Sequence, residues 1–300
     1  MNKWEEISLI LSVVASHLLS RSIDDSQNNV KKTVKVTIKE VLDLYIQYVR
    51  TIDKVANYWE DEINTGLSSG KYIDDRNDRH YSRIKEIFDR LVQSLTPDQN
   101  KYNWKIYLHN SDEVNALAGF NGIIIINIGI VEFCQTIDEL ALVIGHEMAH
   151  ITENHVKKQL ATRIVFDQII EHGSSFIAQK KNKRLNTEEV SDKEISDKEM
   201  FQLIFGLAGE LALLKFSRLQ EEEADKVGAM YAAKTGYDSV KGYNFWKRMA
   251  SISNDSRWTA FLSTHPYSEQ RALAFEKLEL QNPGVNLNPV PSTSTLPSAG

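Results

Sequence analysis

Apolar positions in the first third of the chain recur at helical spacing. Between Val41 and Ile63 they fall at Val41, Leu44, Tyr45, Tyr48, Val49, Ile52, Val55, Ala56 and Trp59, one face of a helix with 3.6 residues per turn. Tyr81 to Leu95 shows the same pattern, and Ile7 to Leu19 reads as an amphipathic helix. Thr33 to Ile38 alternates, the pattern of a short strand or of a helix start. Residues 1–97 are therefore expected to form a helical region packed on the domain C-terminal to it, with Thr96-Pro97-Asp98 as the boundary.

The period then changes. Trp104 to Leu108 alternates, and Asn115 to Gly119 and Gly122 to Ile128 are short apolar stretches punctuated by glycine. These predict the strands of a small sheet. A long helix is predicted from Thr136, which has Glu139 three residues on, the pattern of a capping box. Phe201 to Phe216 predicts a buried helix, Ser217 to Lys234 another helical segment, and Ser239 to about Ser253 a polar-amphipathic one. Residues 182–199 are almost wholly polar and read as an exposed insertion. Residues 281–300, rich in Pro, Ser, Asn and Thr, are expected to be a disordered tail. The fold class that results is α+β, mainly helical, with residues 98–280 as its principal domain.

Composition narrows the chemistry. Lys+Arg 35 against Asp+Glu 41 leaves −6, so no basic excess points to nucleic acid. Cys134 is the only cysteine. An intramolecular disulfide and a cysteine-rich zinc site are both excluded, and any metal must be held by His and carboxylate. Cys134 comes after Phe133 in an apolar segment and reads as a small buried hydrophobe. Ile7–Leu19 lacks a basic start and a clear cleavage site, and falls short of the ~20 residues that span a bilayer. Membrane association is not expected. A reducing, cytoplasmic compartment is the expectation, with periplasmic or membrane-peripheral locations as alternatives.

The candidate chemistry begins at His146-Glu147-Met148-Ala149-His150, an H-E-x-x-H sequence on the predicted helix. Residues four apart share a face, so both imidazoles can reach one metal ion, with Glu147 placed to take a proton from a metal-bound water. The pentapeptide alone is only suggestive. A hydrolytic zinc site needs a third protein ligand. His155, on a continuing helix, would point away from the other two and reads as structural. Glu171 lies near the spacing of thermolysin-like enzymes, but no second carboxylate stands four residues after it. Glu221 and Asp225 are four apart; one can bind metal while the other accepts the N–H of a metal-bound His. An acidic solvated face is the plainer reading of that pair, but Ala224, Gly228 and Ala229 suit a helix that packs closely on another. His265-Pro266 and Arg271 could reach a developing oxyanion.

Taken in order, these pieces resemble the gluzincin metallopeptidase family that includes the CAAX prenyl protease, the heat-shock protease HtpX, the mitochondrial protease OMA and the periplasmic protease BepA. The carrying residues are Asn115-Ala116, Gly129, Asp138-Glu139-Leu140, His146 to His150, His155, Ser217-Arg218, Glu221, Ala224-Asp225, Gly228, His265-Pro266 and Arg271. The resemblance implies a zincin-like fold and one zinc ion per chain, held by His146, His150 and Glu221, with Glu147 as general base. It implies that Asp225 orients a ligand and that His265 and Arg271 lie near the reacting carbonyl. It also implies that Gly122–Ile128 is a sheet edge onto which an extended peptide adds, with Asn115, Ala116, Gly122 and Ile124 touching substrate. The expected activity is zinc-dependent peptide-bond hydrolysis; the alternative is a non-proteolytic chaperone or binding protein on the same scaffold. The chain lacks the long hydrophobic spans of the membrane members and is expected to be a soluble one.

Overall fold

A computed structural model of the chain describes residues 46, 49, 56–163, 216–238, 241–251, 259–265 and 271. The segments expected at Ile7–Leu19, Thr33–Ile38, 182–199 and 281–300 lie outside them, as do Glu171, Pro266 and most of Phe201–Phe216. The chain divides into two compact units, Met1–Val55 with Lys157–Leu207, and Ala56–Val156 with Ala208–Gly300. Every element and side chain described below belongs to the second.

That unit is mainly helical with one small mixed sheet. Helix α1 spans Ala56–Ser68, strand β1 Tyr72–Ile73 and helix α2 Arg79–Val92. Asp78 caps α2 by accepting from the backbone N–H groups of His80 and Tyr81, both at 2.8 Å. Tyr81, Ile84, Ile87, Phe88 and Leu91 form its buried stripe, as the periodicity predicts.

Strands β2 (Lys105–His109), β3 (Ala116–Ala118) and β4 (Ile123–Asn127) come next. The sheet order is β1-β2-β4-β3; β2 and β4 run parallel, and the other two pairs are antiparallel. Strand β4 is thus central. All five of its residues, Ile-Ile-Ile-Ile-Asn, are buried, as a strand paired on both sides and covered on both faces requires. This corrects the expectation that Gly122–Ile128 is a sheet edge. The edge beside β4 is β3. Gly122 instead makes the turn between them at φ 88°, a conformation glycine adopts freely. Ile123, Ile125 and Tyr107 pack on Ile63 and Tyr72 on one face of the sheet.

After the short helix α3 (Ile128–Phe133) comes α4 (Ile137–Thr152), which packs against α2, β3 and β4. Thirteen of its residues are buried, from Glu139 through Ile151 without a break. Thr136 caps it, accepting from the Glu139 N–H at 3.2 Å. The reciprocal half of the predicted capping box differs: the Glu139 carboxylate accepts from the Gln135 N–H at 2.7 Å and binds Arg248 of the helix at Lys241–Ser251 through Nη1 and Nη2, at 2.7 and 2.6 Å. An ion pair with a guanidinium outcompetes the local backbone bond because it matches charge and fork geometry together. Cys134, closing α3, is buried as expected, and burial holds its thiol well above the usual thiol value.

Helices α5 (Arg218–Lys234), α6 (Lys241–Ser251) and α7 (Thr259–Thr264) complete the described part of the unit. Helix α5 opens with a full capping box: Gln220 N–H donates to Ser217 Oγ at 3.3 Å and Ser217 N–H to Gln220 Oε1 at 2.9 Å. Phe216, the last residue of the expected apolar helix, stands outside any helix, its N–H donating to the Thr264 carbonyl at 3.1 Å.

Candidate metal centre

The site forms where α4 and α5 cross. A Cβ added to Gly228 would lie 2.6 Å from the backbone nitrogen of His146, and one added to Gly145 would lie 2.8 Å from the carbonyl oxygen of Gly228. The two backbones therefore meet without side chains between them. Ala224 and Ala229 extend the small-residue seam, both buried. The crossing brings the inward face of α5, with Glu221 and Asp225, onto the His146/His150 face of α4.

Four side chains converge there. His146, His150, Glu221 and His265 each offer one ligand atom, and these atoms all lie within 4.8 Å of one another; all four residues are buried. His146 Nε2 and His150 Nε2 are 3.0 Å apart. Glu221 Oε2 is 3.6 Å from His146 Nε2, and Glu221 Oε1 is 3.4 Å from His150 Nε2. Tetrahedral zinc with bonds of about 2.0–2.1 Å places its ligand atoms about 3.3–3.4 Å apart. The spacing of these three side chains fits that geometry.

The ring nitrogens facing away from the cluster are also engaged. His146 Nδ1 lies 2.9 Å from Asp225 Oδ1. The contact is within ion-pair distance but lacks hydrogen-bond geometry, and it leaves Nε2 facing the cluster. His150 is stacked on Phe216, ring centroids 3.9 Å apart, with its Nδ1 at 3.0 Å from His155 Nδ1. Burial holds the His150 imidazole well below the usual histidine range, against the opposing pull of the Glu221 hydrogen bond. A neutral imidazole is the metal-binding form.

At His155 the sequence reading and the structure part. Helix α4 ends at Thr152, and Asn154 takes φ 60°, so the helix does not continue. The left-handed step swings His155 back against His150 instead of 140° away from it. His155 Nε2 then meets Glu223 Oε2 of α5 at 3.1 Å. Sequence spacing assigns neither His155 nor Glu223 to the site. Asn154 carries the available signal, since Asn is among the few residues that tolerate the left-handed step after a helix end.

Glu147 is fully buried, and neither of its carboxylate oxygens has a hydrogen-bond partner among the described residues. Its neighbour is His265, whose Nε2 is 3.7 Å from Glu147 Oε1. His265 Nδ1 lies 3.1 Å from Glu221 Oε1 and 3.3 Å from His146 Nε2, among the ligand atoms. Burial would lower the His265 pKa, but the Glu221 and Glu147 carboxylates raise it above the ordinary histidine value.

Arg271 is not free to face a reacting carbonyl. Its Nε and Nη2 bind Asp225 at 2.6 and 2.8 Å, its Nη1 lies 2.6 Å from Glu221 Oε2, and its guanidinium sits 3.9 Å from the Trp246 ring centroid. The residue is 1% exposed. It balances the charge of two buried carboxylates. Burial would raise Glu221 and Asp225, but Arg271 holds both below the usual carboxylate range.

Of the positions expected to touch substrate, Ala116 lies in edge strand β3 and Asn115 immediately precedes it, the Asn115 side chain accepting from the Ala116 N–H at 3.0 Å. Gly122 forms the β3–β4 turn and Ile124 is fully buried at the centre of the sheet, so an added strand cannot reach it.

Two imidazoles and a glutamate face each other across a close helix crossing, beside a carboxylate with no hydrogen-bond partner among the described residues, an arrangement that fits a metal-dependent hydrolase of the H-E-x-x-H type. Comparison with known proteins specifies the group. Residues 78–279 match the sequence model of peptidase family M48, and the chain belongs to that family. It is 29% identical over 196 residues to the mitochondrial metalloendopeptidase OMA1 of Schizosaccharomyces pombe, covering 65% of this chain and 51% of that protein. It is 24% identical over 196 residues to the beta-barrel assembly-enhancing protease of Yersinia pestis (63% and 36%) and 25% identical over 231 residues to human mitochondrial OMA1 (73% and 40%). The chain spans between about a third and a half of the length of these relatives. No helix among the described residues is long and apolar enough to cross a membrane.

Proposed function

We propose that this metallopeptidase is a zinc-dependent endopeptidase in which His146, His150 and Glu221 hold the metal and Glu147 is the general base. Zinc at those three side chains would supply Lewis-acid polarisation of a water and of the scissile carbonyl. Glu147 takes the proton of the attacking water and delivers it to the leaving amine. His265, beside Glu147, donates to the oxygen on which negative charge develops. Asp225 holds His146 with Nε2 toward the metal, and Arg271 keeps Asp225 and Glu221 ionised. The substrate is a protein or peptide segment in extended form, and edge strand β3 with Asn115 and Ala116 is where its backbone would pair. The relatives named as metalloendopeptidases support an internal-bond cleavage, transferred here as part of the proposal.

One observation carries this reading: a buried carboxylate whose oxygens have no hydrogen-bond partner among the described residues stands beside a cluster of four ligand atoms that all lie within 4.8 Å of one another. A carboxylate is not buried that way for stability, since leaving it unsatisfied costs ~1–3 kcal/mol or more. Glu147→Gln keeps the shape and removes the base. It is expected to bind zinc as wild type does and to lose peptide cleavage by roughly 10²–10⁴-fold. Zinc-loaded wild type that cleaves nothing in a peptide library would favour the non-proteolytic binding protein; full activity in Glu147→Gln would remove the mechanism.

A further inference from the structure

Two acidic groups of α5 reach the two histidines of α4 by different routes. Asp225 touches His146 directly. On the His150 side the contact runs through an intermediate imidazole: Glu223 Oε2 to His155 Nε2 at 3.1 Å, then His155 Nδ1 to His150 Nδ1 at 3.0 Å. His150 and His155 are both fully buried, while the Glu223 side chain is 30% exposed.

Glu223, His155 and His150 form one line of contacts. His150 is also stacked on Phe216, ring centroids 3.9 Å apart. With His155 at one edge and Phe216 against its face, the ring is held with Nε2 3.4 Å from Glu221 Oε1 and 3.0 Å from His146 Nε2.

We propose that His155 and Glu223 are a positioning pair that fixes the ring orientation of His150, so that Nε2 faces the metal position before a metal binds. The pair touches neither substrate nor reacting atoms. Its position depends on the left-handed Asn154, which ends α4 and returns His155 to the ligand face. This inference rests on the zinc reading above for its consequence but not for its geometry. The consequence is affinity: partners that orient a metal-bound histidine typically contribute about 10–100-fold.

The test uses the full chain in four forms: wild type, His155→Phe, His155→Asn and Glu223→Gln. Phenylalanine fills the buried ring volume and removes both nitrogens. Asparagine retains a polar group at the position of Nδ1. In metal-free protein, proton–proton Overhauser contacts between the His150 and Phe216 rings, stacked 3.9 Å apart, read whether the His150 ring keeps its orientation. Zinc affinity is measured by competition with a chromogenic chelator, and circular dichroism reports the fold. Wild type should show these contacts. His155→Phe should lose them and bind zinc about 10–100-fold more weakly. His155→Asn should recover most of the loss, and Glu223→Gln, which leaves a weaker neutral acceptor, should fall between.

If His155→Phe does not fold, the Asn and Gln variants carry the same graded expectation. Unchanged His150–Phe216 contacts and unchanged zinc affinity across the variants would overturn the pair. Wild type that shows the contacts, lost in the variants, but binds no zinc would overturn the zinc reading and leave the pair standing.

Discussion

Gly228→Ala probes the helix crossing on which the whole site depends. The added Cβ would meet His146 N at 2.6 Å, Gly145 C at 2.7 Å and Gly145 O at 2.9 Å, where ordinary contact begins at 3.4 Å. All three are backbone atoms, so no side chain can turn aside. The helices must separate by about 0.8 Å, the difference between 3.4 and 2.6 Å. Zinc sites tolerate errors of about 0.2 Å in ligand position. A rigid shift of α5 by that amount carries Glu221 and Asp225 out of register with His150 and His146. Overpacking of this kind costs about 1–3 kcal/mol, while replacing a helical glycine by alanine returns up to ~1 kcal/mol of helix propensity. The net expectation is a loss of about 0–2 kcal/mol of stability in the metal-free protein, with at least a tenfold loss of zinc affinity. Urea unfolding of metal-free protein separates the first effect, and chelator competition the second. Lys226→Ala, at an exposed position of α5, is the control and should change neither. If Gly228→Ala were more stable than wild type and bound zinc fully, the close α4–α5 contact would be refuted.

Arg271→Ala leaves Glu221 and Asp225 buried without their shared cation, and removing one partner of a buried ion pair costs about 3–5 kcal/mol. Thermal unfolding should report that loss, and near-wild-type stability would show that Arg271 does not balance those carboxylates. The same two carboxylates govern the acid stability of the metal-free protein. Glu221 and Asp225 are held below their ordinary values of 4.5 and 3.8, so the unfolded chain takes up protons first as pH falls. Stability should be constant in these two groups above about pH 5 and decline below 4.5, by up to ~1.4 kcal/mol per pH unit for each. Near pH 6.5 the contributions of His150, lowered, and His265, raised, have opposite signs and oppose each other. Urea midpoints unchanged from about pH 5.5 to 3.5 would contradict the carboxylate shifts.

What the chain settled by itself was local. The capped run from Thr136, the His146/His150 and Glu221/Asp225 pairs at four-residue spacing, and the small residues around Gly228 are all legible from helical periodicity. A helix is a short-range object, and residues four apart share its face whatever the rest of the molecule does. The tertiary structure decided what short-range order cannot reach. Strand order put β4 at the centre and β3 at the edge, because pairing on both sides is a long-range outcome. Arg271, expected at a carbonyl, is drawn to two carboxylates that lie close only after α4 and α5 cross. His155 changed most: one left-handed residue, Asn154, ends the helix and turns a histidine that periodicity points away into the neighbour of a metal ligand. A single backbone step redirects every side chain beyond it, and only the packed structure selects that step.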